Sequence, residues 1–399
     1  MIHAKMCKPR DFAWNNDRDP EQIDRLQNIS GDLTLNREQV HEIGRVGRLG
    51  YKKSTPSFAY SATQFEYGNM DFFYALANKE NPASGAAHDV DLDDLVETQM
   101  DIAAFLTDDN ATFRGSIWFP GLRVNGFSIN IGDPEATIER SFDLVGEDYK
   151  MIDGNYFAYQ KATAAGASTV IVLNPAAVEI ASGDYIFRVL RVRSAVVSEL
   201  VETTDWTFVS GTNTLTVTGG VAGDVIKVYY VSATAYTTTW TDNDVDPDLL
   251  LAEYAEIRLK VGTDTRIYRL QSVGIDVAFD RADYREIGNS AIVQRGVNNK
   301  TVTVALSRFA ENFALEDILA ADTTYPVINP ADFSEAIQMQ VLIYGEKAHT
   351  NFKIGYLITG LSPTTVGTTQ DVEAYGQRTC NLESDNLKIS DTLSELVFA

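Results

Sequence analysis

Apolar and polar residues alternate with a period of two along much of this chain. In RLQNISGDLTLNREQVHEIG, Arg25 to Gly44, the apolar Ile29, Leu33 and Leu35 alternate with Asp32, Thr34 and Asn36. In RLQSVGIDVAFDRADYREIG, Arg269 to Gly288, Val273, Ile275, Val277 and Phe279 alternate with Gly274, Asp276, Ala278 and Asp280. Such a period predicts β-strands with one face on a core and the other on water or a partner. The two stretches align without a gap at a spacing of 244, and Arg, Leu, Gln, Asp, Arg, Glu, Ile and Gly coincide. Composition alone would give roughly one or two such coincidences. The chain therefore contains an internal repeat.

The repeat continues on both sides of a Gly-containing loop. Strands are predicted at Ser57 to Phe65 and Thr301 to Phe309, followed by helix-like stretches at Met70 to Ala77 and Phe313 to Ala320. At a spacing of 239, Gln99-Met100, Phe113 and Gly121-Leu122 match Gln338-Met339, Phe352 and Gly360-Leu361. One residue of slippage later, Arg140, Leu144 and Lys150 match Arg378, Leu382 and Lys388. Each copy has the size of one domain.

Between the copies the rhythm changes. STVIVL, DYIFRVLRVRSAVV, TDWTFV, TNTLTVTG and DVIKVYYVS are short β-branched and aromatic runs set apart by Gly, Asn, Ser and Asp. They predict a small antiparallel sandwich of immunoglobulin-like type, without that fold's Cys…Trp…Cys spacing. The polar TDNDVDPD then reads as a linker. The chain divides into copy one over 1–158, the insert over 159–240 and copy two over 241–399.

Charge narrows the function. With 56 acidic against 33 basic residues the net charge is −23, opposite to the footprint of a nucleic-acid clamp. Cys7 and Cys380 are the only cysteines, which rules out a disulfide scaffold and a Cys-rich zinc site. No secretory signal and no long apolar run is found, so the expectation is a protein made in a cytoplasm and not embedded in a membrane. His3, His41, His88 and His349 show no metal-ligand spacing, and neither a phosphate loop nor a nucleophile elbow occurs. Asp89, Asp91 and Asp93, and again Asp242, Asp244 and Asp246, stand at alternate positions, but the first cluster has Asp94 and Met100 where a calcium loop needs Gly and Glu. Solvated loops are expected there. Nothing singles out a catalytic pair, and no cofactor, metal or enzymatic activity is expected.

Two similar domains can pack head to tail, and a heterologous contact repeated through a fixed rotation closes into a ring. Three chains would give six similar wedges; pairing into one closed unit within the chain is the alternative. The order within each copy resembles the tail tube proteins of long-tailed bacterial and archaeal viruses. It runs from an alternating strand through a Gly-containing loop (EIGRVGRLGYKK, EIGNSAIVQRGVNNK) to a strand and a short helix, then to a Phe…Gly-Leu strand and a closing Arg-x-x-x-Leu strand.

The resemblance implies two tandem β-sandwich or barrel domains, each with a flanking helix, and an inserted immunoglobulin-like sandwich. It implies stacked rings, here trimers of pseudo-sixfold symmetry, around a lumen that DNA crosses without specific binding. Implied partners are further copies of the chain and the tape measure, terminator and distal tail proteins. The implied location is the virion tail, assembled in the host cytoplasm. In that setting Asp32, Asp276 and Asp280 are the candidate lumen-facing residues. The paired charges Arg25/Arg269, Arg37/Arg281, Glu42/Glu286, Arg140/Arg378 and Lys150/Lys388 are candidate ring or stacking contacts. So are Arg45, Arg48, Lys52 and Lys53 in the first loop and Arg295 and Lys300 in the second, both loops expected to reach into a neighbouring ring. Competing readings are a β-sandwich adhesin or surface-layer protein, a single tail ring such as a terminator or distal tail protein, and the tube of a contractile system.

Overall fold

The computed structural model describes residues 3–8, 21–22, 26–35, 37–41, 48–53, 57–77, 79, 88–96, 100–107, 113–146, 149–194, 196–234, 249–261, 263–266, 270–284, 294–309, 316, 319–320, 333–334, 337–369 and 376–398. Copy one runs β1 (His3–Lys8), β2 (Glu21–Gln22), β3 (Leu26–Thr34), β4 (Arg37–His41), β5 (Arg48–Lys53), β6 (Ser57–Phe65), α1 (Asp71–Leu76), β7 (Asp89–Asp91), β8 (Met100–Thr107), β9 (Phe113–Ile131), β10 (Glu139–Gly146) and β11 (Lys150–Asp153). The insert follows as β12 (Tyr156–Thr163), β13 (Ser168–Val172), β14 (Ile186–Arg193), β15 (Val196–Leu200), β16 (Trp206–Val209), β17 (Thr214–Thr218) and β18 (Val225–Ser232). Copy two comprises β19 (Ala255–Val261), β20 (Thr263–Arg266), β21 (Leu270–Tyr284), β22 (Gln294–Phe309), β23 (Ile337–Tyr344), β24 (Phe352–Thr369), β25 (Gln377–Ser384) and β26 (Asn386–Ser390). The molecule is mainly β, built of several antiparallel sheets.

The two copies repeat one topology. In copy one β3-β6-β10-β9 pair in that order, and in copy two β21-β22-β25-β24 do the same. Behind each lies a second sheet: β2-β1-β8-β9-β11 in copy one and β20-β19-β23-β24-β26 in copy two. The long strands β9 and β24 thus belong to both layers of their copy. They pass from one to the other at Gly121 and Gly360, with φ of 62 and 68 degrees. Only a residue without Cβ takes that conformation cheaply, which gives the repeated Gly-Leu pair a physical cause.

The copies are not separate sandwiches. The second half of β9 pairs with β21 from Ile131↔Val273 to Gly126↔Ala278, so both front layers form one shared sheet of eight strands. One apolar core underlies it, from Phe58, Phe127 and Phe142 in copy one to Val277, Val304 and Leu382 in copy two. Burying so much aliphatic and aromatic surface dominates the stability of such a fold.

The insert has the expected two sheets, β12-β18-β14-β15 and β13-β17-β16, over a core of its own that includes Trp206, Leu215 and Val228. Its first strand begins at Tyr156, ahead of the expected boundary.

Two expectations need correction. The stretch Arg45 to Lys53 is not all loop, because Arg48–Lys53 pairs with Arg37–His41 as a hairpin arm; in copy two the pairing of β21 with β22 likewise runs out to Tyr284↔Gln294. Alternation there simply continues the ladder past the core. Nor is Asp89 to Asp93 a solvated loop: it is β7 followed by a short 3-10 turn from Leu92 to Leu95, pinned by buried Val90, Leu92 and Leu95. The second acidic cluster lies outside the described residues. No helix among the described residues is long and apolar enough to cross a membrane.

Candidate assembly surfaces

Three surfaces carry the functional geometry: the seam between the copies, the polar face of the shared sheet, and the back of copy one where the insert sits.

The seam is closed at both layers. At the front, β21 lies on β9, and Gly126 sits where an added Cβ would come within 2.5 Å of the Val277 carbonyl oxygen. Arg281 crosses the joint, donating from Nε to the Val124 carbonyl at 2.5 Å and from Nη1 to the Val96 carbonyl at 3.0 Å. At the back, β7 of copy one adds to β26 of copy two, pairing Asp91 with Lys388 and Asp89 with Ser390. Lys388 Nζ lies 2.9 Å from Asp89, and Lys300 Nζ lies 2.5 Å from Asp93. The hydrogen bond that Lys388 donates to Asp89 raises the Lys388 pKa, and burial raises that of Asp91. Asp94 takes Lys79 at 2.5 Å and accepts the Asp91 amide as a capping box. The acidic cluster is therefore neutralised by lysines, two of them from the other copy.

Arg140 lies at the heart of the seam. It is fully buried, donates to Gln64 Oε1 at 3.0 Å, and pairs with Glu66 at 3.3 Å. Tyr356 of copy two donates its hydroxyl to the same Glu66 at 3.0 Å. Phe73 and Phe142 flank the guanidinium at 5.2 and 5.7 Å. Burial works to lower the Arg140 pKa, and Glu66, Tyr67 and Tyr356 together outweigh it to leave the group raised; burial holds the Tyr356 hydroxyl well above the ordinary phenol range. Expected at a ring or stacking contact, Arg140 is instead enclosed in its own chain. Arg378, its equivalent, pairs with Glu316 at 2.5 Å and remains partly exposed.

The polar face of the shared sheet presents Asp32, Asp276 and Asp280 together, all exposed. Alternation and cross-strand pairing add Glu139, Asp143 and Glu383, with Ser30, Ser61, Ser141, Thr303 and Thr379 between them. Among the described residues that alternation places on this face, those six carboxylates stand against one cation, Arg123.

The back of copy one is covered by the insert. Ala103, Phe105 and Trp118 pack against Phe157, Leu190 and Tyr229 as a buried, largely aromatic layer. Asp101, wholly buried, accepts from Arg188 of the insert at 2.7 Å, the Gly121 amide at 2.7 Å and the Trp118 indole at 3.3 Å. Arg188 also stacks over Tyr229 at 4.8 Å.

Arg37 is exposed at the base of copy one's hairpin, opposite Lys53, and Lys150 is exposed on β11. Arg48, Lys52, Lys53 and Arg295 lie on described strands whose side chains are outside the described set; Arg25, Arg45, Arg269, Glu42 and Glu286 lie outside the described residues. Sequence reasoning missed Glu66, Asp101, Arg188 and Tyr356. Each works through a partner far along the chain, which no local pattern announces. A cleft of about 410 Å³ at one end of the seam holds Glu253 paired with Lys347 and Glu256 paired with Arg258. Its carboxylates are already engaged. Among the described residues no group of metal-ligating side chains is brought together. No family model matches this chain, and no curated protein is similar to it.

Proposed function

We propose that this chain is a structural subunit of a viral tail tube, polymerising into stacked rings of three chains through which DNA passes. The observation that carries the reading is the seam. Copy one's β9 edge takes copy two's β21 edge, and this leaves copy two's β24 edge and copy one's β3 edge without a neighbour in the shared sheet among the described residues. These two edges are the equivalents of the pair already joined. A contact of this head-to-tail kind repeats from chain to chain until it closes.

The number of chains follows from the bore. Strands are spaced about 4.8 Å apart and tilt about 40° in barrels. Two chains of eight strands would close at a backbone diameter of roughly 32 Å and, after side chains, a bore of roughly 20 Å. That is no wider than a hydrated duplex. Three chains give roughly 48 Å and a bore of roughly 36 Å, which is ample. With the polar face inward, carboxylates meet a duplex carrying one negative charge per roughly 1.7 Å, so the wall repels what it conducts. The insert, fixed to the opposite layer, lies on the outside.

Electron microscopy of the concentrated protein tests this: hollow rods with a threefold end view support it, and compact monomers at every concentration overturn it. Asp32→Lys with Asp276→Lys should leave rods intact while slowing genome ejection at least tenfold; unchanged ejection would remove the lumen assignment.

A further inference from the structure

The two copies differ in one systematic way: positions sealed at the seam of copy two are open in copy one. Ile389 on β26 is 1% exposed under β7, whereas Met151, its equivalent on β11, is 74% exposed. Tyr356 is wholly buried against Glu66, and its equivalent Ile117 is half-buried. Arg281 caps two carbonyls across the joint, and its equivalent Arg37 is exposed. Met151 is an apolar side chain held in water on a strand whose outer edge has no neighbour among the described residues. An edge of this kind invites strand addition.

Building on the tube reading, we infer that a second copy of this chain fills this surface in a defined register: its β24 lies antiparallel on β3 with Thr369 opposite Ser30 and Gly367 opposite Asp32, and Arg37 reaches its Pro363 carbonyl. The register is read from the closed seam. There Gly274 faces Asn130 and Asp276 faces Ser128. The 244-residue spacing converts Gly274 and Asp276 into Ser30 and Asp32. Matching ladders convert the other side: Asn130 pairs with Glu139 as Thr369 pairs with Gln377, and Ser128 pairs with Ser141 as Gly367 pairs with Thr379. Val124, which receives Arg281, pairs with Leu144 as Pro363 pairs with Leu382. A slip of two residues would keep the faces but lose the Arg37 contact, so the arginine sets the register as well as adding a charge-assisted bond. At the back, Met151 goes under the arriving subunit as Ile389 goes under copy one.

The test is disulfide trapping. Ser30→Cys with Thr369→Cys in one chain, oxidised under assembly conditions, should give covalent dimers and trimers and nothing larger on a denaturing gel. Asp32→Cys with Thr369→Cys, slipped by two, should link at least tenfold less. More efficient linking by the slipped pair overturns the register while leaving the ring intact. A ladder extending beyond three overturns closure at three chains. Rods with neither pair linked place the seam elsewhere and overturn the inference; failure of the unmodified protein to form rods overturns the tube reading itself. Arg37→Ala should raise the concentration needed for assembly about tenfold without moving the melting temperature of the monomer, and an unchanged assembly threshold would remove its role.

Discussion

The same strand surface is covered in two different ways in the two copies. In copy one, Ala103, Phe105 and Trp118 on the back sheet meet the inserted β-sandwich. In copy two the equivalent Leu342, Tyr344 and Leu357 meet, among the described residues, Leu396 and Phe398 of the last segment as their cover. The polar residue at the centre changes to match. Copy one has Asp101, which needs the Arg188 guanidinium; copy two has Gln340, whose neutral amide donates to the Leu396 carbonyl. The comparison shows an apolar back face under cover in both copies, closed by the insert in one and by the last segment in the other. A carboxylate suits a partner that brings a cation, and an amide suits one that brings backbone.

The largest effect should come from breaking this contrast at its charged end. Arg188→Ala leaves Asp101 buried without its counter-ion, and such loss costs about 3–5 kcal/mol. Gln340→Ala removes a neutral bond to one carbonyl and should cost about 1–3 kcal/mol. Urea unfolding of both variants compares them directly. Equal losses would mean that the insert is held by its aromatic layer and not by the ion pair.

The seam offers the next largest test. Gly126 lets β9 approach β21, and an added Cβ would meet Val277 backbone at 2.5 Å, so the ladder must spread. Gly126→Ala should therefore destabilise the monomer by about 1–3 kcal/mol. Thr365 stands at the equivalent place on β24, so the closed and open seams are not identical at this point. A substitution there, Thr365→Ala, should leave monomer stability within about 0.5 kcal/mol. Thermal melting of the two variants separates a seam closed within the chain from one left for a neighbour.

How much of this was legible follows from the reach of each interaction. Period-two alternation and the repeat spacing are local, so the strands, the helix at Phe72 and Phe73, the sandwich insert and the shared polar face of Asp32 and Asp276 could all be read from the sequence. Which edge meets which could not, because β9 and β21 are joined across the whole insert. Arg140 was recognised as repeated, yet Glu66 lies far from it in sequence and Tyr356 comes from the other copy. Its charge therefore read as a surface contact when it is an internal one. The Asp89 to Asp93 cluster misled for the same reason: its lysines, Lys388 and Lys300, belong to the second copy.

The smallest effect separates the insert from the two repeated copies by pH. Asp224 closes the turn before β18, accepting from Arg193 Nη2 at 2.6 Å and from the Val221 amide at 2.8 Å. The Arg193 hydrogen bond is the main cause that holds its pKa below the ordinary 3.8. A carboxylate depressed in the folded state stabilises fully above its unfolded pKa, and that contribution disappears as pH falls through the folded value. The insert should thus lose stability below about pH 4, reported by the fluorescence of Trp206 in its core. Asp224→Asn removes this titration: the variant should start less stable near neutrality, and its remaining stability should change less between pH 4 and 2. The acid transition of Trp206 should become shallower by a fraction of a pH unit while the copy-two cover stays in place. An acid response identical in wild type and variant would place the pH sensitivity outside the Asp224 turn, and the insert would then unfold in acid together with the two copies.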